Sequence, residues 1–260
     1  MDEPIIMRKE GDIVVMLLNR PHSYNALNFD AVKGFYDLIA PLTMDNTVKG
    51  LVISGKGANF CAGGDLDWVS RHESGPSAAF YRLAGLYHQA VLELRRMPKP
   101  VIAAINGIAA GGGFTMTLAC DFRVMEQSAL LRQAYTSNGL CIDGGGTFML
   151  PRIVGLARAL EIASFDSPIS AKQALAWGLA TKVVEDGQAL EEALQMARGL
   201  TEKSLNSFQW SKRLLTDSFN SSIEEHLERE RAGISACAAH DDGKEGIKAF
   251  LEKRKPVFKS

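Results

Sequence analysis

Two segments of the 260-residue chain carry residue types that can stabilise a negative charge. They are Phe60-Cys61-Ala62-Gly63-Gly64-Asp65-Leu66 and Asn106-Gly107-Ile108-Ala109-Ala110-Gly111-Gly112-Gly113. Glycine lets the backbone take unusual angles and come close to a ligand. Each segment follows a predicted strand, and the second opens a helix, whose first N–H groups lack partners and lie at the positive end of the dipole. Such N–H groups can hold the oxyanion that forms when a carbonyl takes up an electron pair, and losing one donor typically raises the barrier by about 3–4 kcal/mol. Plain tight turns are the competing reading of either segment alone. Phosphate binding is another, but Gly111-Gly112-Gly113 does not match G-x-G-x-x-G, and the chain holds no G-x-x-x-x-G-K-[ST].

A carboxylate stands in a third glycine run, Ile142-Asp143-Gly144-Gly145-Gly146-Thr147. Asp-Gly favours a turn or a helix N-cap, and the same carboxylate could move protons. The five histidines form no H-E-x-x-H cluster, and Cys61, Cys120, Cys141 and Cys237 include no C-x-x-C pair, so no metal site is expected. The cysteines read as reduced thiols of a cytoplasmic protein. A net charge of −1 without a basic, aromatic-rich stripe argues against nucleic acid and anionic membranes as partners. No apolar window reaches the roughly 18 residues of a membrane helix, and the acidic start Met1-Asp2-Glu3-Pro4 lacks a signal-peptide core.

These residues need a scaffold. Strands are predicted at Ile5–Lys9, Ile13–Asn19, Gly50–Ser54, Val101–Ile105 and Asp121–Met125, alternating with helices from Asp30, over Ser77–Met97 and over Phe114–Ala119. That order describes an α/β domain. After Gly146 the pattern is almost wholly helical, apart from a short strand at Thr181–Val184. The polar, Gly/Pro-containing segment from Ser70 to Ala79, which leads into the helix from Ser77, reads as mobile and as shaping a substrate pocket.

Several motifs in order resemble the signatures of the enoyl-CoA hydratase/isomerase (crotonase) family. They are Leu18–Leu27, Phe60–Leu66, Pro100–Gly113, Leu150–Gly155, Ala176-Trp177-Gly178-Leu179 and Phe250–Lys255. The resemblance covers essentially the whole chain. It implies a ClpP-like spiral of β-β-α units over 1–200, and a C-terminal helical region over 201–260 for trimerisation and site closure. It implies a homotrimer or a hexamer built as a dimer of trimers. It also implies coenzyme A as part of a thioester substrate, with no permanently bound cofactor. The thioester oxygen would be held by the N–H groups of Gly64 and Gly112. Asn25, Ala26, Ala62, Asp65 and Leu66 would lie along coenzyme A, and Lys253 would reach its phosphate, commonly from a neighbouring subunit. Trp68, Thr115 and Tyr135 would line the substrate pocket. The helix from Ser77, with Tyr81, Leu86 and His88, would border it.

The resemblance leaves the reaction open. Family hydratases carry two glutamates where this chain has Thr115 and Tyr135, and neither is a good base near neutral pH. Asp143, eight residues before Pro151, resembles the carboxylate of phenylacetate-pathway-type enoyl-CoA isomerases, dienoyl-CoA isomerases and chlorobenzoyl-CoA dehalogenase. The favoured expectation is an enoyl-CoA isomerase in which Asp143 carries a proton between C2 and C4. The alternatives are a hydratase, an aryl-CoA dehalogenase-like hydrolase, in which a tryptophan stands where this chain has Tyr135, and a non-catalytic acyl-CoA binder.

Overall fold

The protein is described by a computed structural model covering residues 3–260. A six-stranded sheet runs in the order β1 (Ile5–Glu10), β2 (Ile13–Leu18), β3 (Gly50–Gly55), β4 (Val101–Ile105), β6 (Phe122–Glu126) and β9 (Lys182–Val184). β1 and β2 form an antiparallel hairpin, and every later pairing is parallel. All residues of β3 and β4 are buried. That explains their unbroken apolar runs, since a central parallel strand is covered on both faces.

Alternate side chains of these strands enter two cores. Met16, Leu51, Ile53, Ala103 and Ile105 pack with α1 (Phe29–Leu42) and α3 (Gly75–Arg96). Val15, Val52, Ile102 and Ala104 pack under α8 (Ala189–Thr201), which presents Ala189, Ala193 and Ala197 at four-residue spacing. Small residues on that stripe let the helix lie close to the sheet.

A smaller sheet of β5 (Ala109–Ala110), β7 (Leu130–Arg132) and β8 (Ile169–Ser170) lies beside the main one. Its strands of two or three residues are too short to leave a periodic signal. Within the segment from Ser70 to Ala79, the helix expected from Ser77 starts two residues earlier, and Ser77 lines the site cavity. The short helix α2 (Leu66–Ser70) ends there, residues 71–74 turn, and α3 begins at Gly75. Beyond α4 (Gly112–Ala119) come α5 (Gly146–Val154), α6 (Leu156–Phe165) and α7 (Ala171–Ala176). The chain ends in α9 (Leu205–Asp217), α10 (Ile223–Ala239) and α11 (Asp241–Leu251).

Candidate active site

The first glycine turn is fixed from both sides. Its Cys61 donates to Ile108 O at 3.0 Å and accepts from Ala110 N at 2.8 Å, which ties it to the second turn. Leu27 donates to Gly63 O at 2.7 Å and accepts from Asp65 N at 3.0 Å. Leu27 therefore bridges Gly64 through its neighbours, as in a parallel ladder, and the N–H and C=O of Gly64 itself face the other way. The Cys61 thiol is fully buried, and burial pushes it up to about 12, so it packs as a neutral group.

The second turn delivers Gly112 to the N-terminus of α4. Gly111 has φ of 50° and donates to Arg132 O at 3.1 Å, while Thr115 N closes the first helical turn on Gly111 O at 3.0 Å. Gly112 is the first helical residue, so its N–H has no partner within the helix. Neither the Gly64 N–H nor the Gly112 N–H meets an acceptor among the described residues. The contact between the turns requires glycine: a Cβ on Gly113 would overlap the Cys61 carbonyl oxygen.

Gly64 and Gly112 line a cavity of about 510 Å³, walled largely by Leu27, Phe80, Leu83 and Leu140. Asp143 enters the same cavity and is its one carboxylate among the described residues. The turn that carries it has φ of 57° at Gly144 and 75° at Gly145, the left-handed region that glycine tolerates. A Cβ on Gly144 would come within 2.5 Å of the Tyr87 ring and 2.6 Å of Thr115 Oγ1.

Two phenols organise the site. The Tyr135 hydroxyl donates to Asp143 Oδ1 at 2.6 Å. Burial, with the Asp143 charge beside it, drives the Tyr135 phenol far above its ordinary range, so it remains a donor. Tyr87, buried on α3, donates to Gly112 O at 2.5 Å and lies 3.3 Å from Thr115 Oγ1. Burial raises it well above the phenol range too. Tyr87 thus touches both the glycine at the helix start and the turn that holds Asp143. Across Asp143, His88 Nε2 stands 3.7 Å from Oδ2 and accepts from Gly144 N at 3.3 Å. Nothing in the sequence set Tyr87 apart from an ordinary helical core position, and only its following residue, His88, hinted at chemistry.

The other expected site residues are dispersed. Ala62 and Leu66 line the cavity with Tyr135. Thr115 is fully buried behind Gly112, and its hydroxyl donates back to Gly112 O at 3.2 Å instead of lining the cavity. Trp68 also lies outside the cavity. It packs edge-on against His72, with ring centres 5.5 Å apart, along a separate polar cleft of about 720 Å³. That cleft adjoins the first turn through Asp65, which caps α2 and pairs with Arg20 at 2.8 Å. Arg71 and Arg82 line it as well. Asn25 is buried, and its side chain is consumed internally: it donates to Lys56 O and Asn59 O and accepts from Arg20 N. The Ala26 carbonyl accepts from Arg20 Nη1 at 2.5 Å. Lys253 follows α11, with φ of 56°, and does not line the cavity. Among the described residues, no three His, Cys, Asp or Glu side chains converge as a metal site would require. No helix among them is long and apolar enough to cross a membrane.

The family model described as enoyl-CoA hydratase/isomerase matches residues 8–260. The chain is 33% identical to the 1,2-epoxyphenylacetyl-CoA isomerase of Escherichia coli K12 over 99% of both chains. It is 35% identical to the crotonyl-CoA hydratase of Syntrophomonas wolfei over 98% of both. Its fold superposes on an enoyl-CoA hydratase from Polaromonas sp. JS666 with a TM-score of 0.93 at 34% identity, covering 98% of this chain and 99% of that one. With its α/β spiral, its paired glycine turns and its C-terminal helices, the chain belongs to the enoyl-CoA hydratase/isomerase family and has the crotonase fold.

Proposed function

We propose that the protein is an enoyl-CoA isomerase that moves a C=C bond between the 3 and 2 positions, with Asp143 as its acid and base. The observation that carries this reading is that Asp143 is the one carboxylate among the described residues of the cavity that Gly64 and Gly112 line. Hydration needs one group to activate water and another to protonate C2, whereas a double-bond shift needs one carboxylate to take a proton and return it. The Gly64 and Gly112 N–H groups would polarise the thioester oxygen as Asp143 removes a proton from C2. The negative charge of the dienolate would rest on that oxygen, and the proton would return at C4. Tyr135 supports this role by holding Oδ1, which leaves Oδ2 for the proton.

Coenzyme A would run from the cavity past Ala62 and Leu66 toward the cleft at Asp65, where Arg20 and Arg82 suit its phosphates. Residues 201–260 are proposed as the region for oligomerisation and site closure. α10 buries only Gly233, and Phe219, Ile223, Leu227, Ile234 and Phe250 are exposed in the single chain. A homotrimer or dimer of trimers would cover them, and light scattering of the purified protein tests this. Asp143→Asn tests the chemistry: isomerisation of a 3-enoyl-CoA should fall by a factor of about 10²–10⁴.

One observation favours a second reading. The imidazole beside Asp143 is also what an aryl-CoA dehalogenase-like hydrolase would need. There Asp143 would displace halide from the ring, and His88 would activate the water that releases the product. Halide release from a halogenated benzoyl-CoA distinguishes the two.

A further inference from the structure

Asp143 separates the cavity from a half-exposed imidazole. Tyr135 holds Oδ1 inside the cavity, while Oδ2 faces His88 Nε2 at 3.7 Å. Nε2 accepts from Gly144 N, so its lone pair is directed at the Asp143 turn and Nδ1 carries the ring hydrogen. The His88 side chain is 47% exposed and that of Asp143 33%. The neighbouring phenol of Tyr87 is turned away, toward Gly112 O. Tyr135 keeps its proton, so it offers no route outward.

We propose that His88 is a proton relay that connects Asp143 to bulk water during the double-bond shift. The inference rests on the isomerase reading. After Asp143 takes the C2 proton, the Nε2 lone pair gives up the Gly144 N–H, turns to Oδ2 and accepts that proton from the carboxylic acid, leaving a carboxylate and an imidazolium. The half-exposed imidazolium exchanges its N–H protons with water and returns a solvent proton to Asp143, which delivers it to C4. No net acid or base is consumed. The 3.7 Å separation closes to hydrogen-bond length on a small side-chain movement, and catalytic contacts are often long before substrate binds. A lone carboxylate in an apolar cavity would instead return the same proton, and the new C–H bond would hold substrate hydrogen.

The test is turnover of a 3-enoyl-CoA in D₂O by the full-length wild type, His88→Gln and His88→Ala, with deuterium at C4 read by mass spectrometry at low conversion. The glutamine oxygen can still accept the Gly144 N–H, so the turn is kept, but the amide is no base near neutral pH. The wild-type product is expected to carry deuterium, and both variants should lose most of it per turnover. Free imidazole in the buffer should restore it for His88→Ala. A purely structural role for His88 would change the rate and leave the deuterium content per turnover alone. Equal deuterium in wild type and His88→Gln, or none in the wild-type product, overturns the relay while leaving the isomerase reading in place. No conversion of the substrate by wild type overturns that reading and the relay with it.

Discussion

The Tyr135 hydroxyl donates to Asp143 Oδ1 at 2.6 Å, joining residues eight apart in sequence on either side of a short 3₁₀ turn over Thr136–Asn138. The bond fixes one oxygen of the carboxylate and leaves the other to face His88. A hydrogen bond to a charged acceptor contributes about 1.5–3 kcal/mol. Tyr135→Phe should therefore lower kcat for isomerisation by roughly tenfold or more, with KM changed little, because the ring still walls the cavity. Steady-state kinetics on a 3-enoyl-CoA checks this, and an unchanged kcat would remove Tyr135 from the positioning of Asp143.

The glycines of the second turn differ in what they exclude. A Cβ on Gly113 overlaps the Cys61 carbonyl, whereas one on Gly112 meets the movable Leu27 Cδ1 at 3.3 Å. Overpacking of a rigid backbone contact costs about 3 kcal/mol or more, at the upper end of the usual range. Gly113→Ala should lower the thermal midpoint clearly, and Gly112→Ala much less. Scanning calorimetry of the two variants makes the comparison.

The C-terminal tail is held by acids. Arg254 bonds to Glu245 and, with the Val257 N–H, brings its carboxyl down to about 2 from 4.5. The folded state therefore binds this proton more weakly than the unfolded state. The contribution is present above about 4.5 and is lost as pH falls toward about 2. Amide-exchange protection at Val257 should decline on acidification through that window, and Glu245→Gln should flatten the dependence. Constant protection in the wild type would contradict it.

Much of the scaffold was legible in sequence because apolar runs and glycine turns are local signals. The runs at Gly50–Ser54 and Val101–Ile105 lie within the buried strands β3 and β4, and the turn Asn106–Gly113 opens α4. The β5-β7-β8 sheet was not legible, since two or three residues carry no period. The side to which Trp68 faces was not legible, because an indole close to a glycine turn can face either side of a short helix; α2 directs it to His72 and the polar cleft. The orientation of Thr115 was not legible for a related reason: a threonine in the first turn of a helix can bond back to the carbonyl three residues earlier, and here it bonds to Gly112 O. His88 was placed beside the pocket by the family resemblance alone, and Tyr87 gains its meaning only from α3 crossing the glycine turns, a long-range contact that no local pattern announces.

The most direct test of the central claim is incubation of purified protein with a 3-enoyl-CoA, with products followed by mass and chromatography, for wild type and Asp143→Asn. Conversion to a 2-enoyl-CoA of unchanged mass, lost in the variant, is the predicted result. Conversion that persists in Asp143→Asn, or a wild type that only adds water to a 2-enoyl-CoA, would contradict Asp143 as the single acid and base of an isomerase.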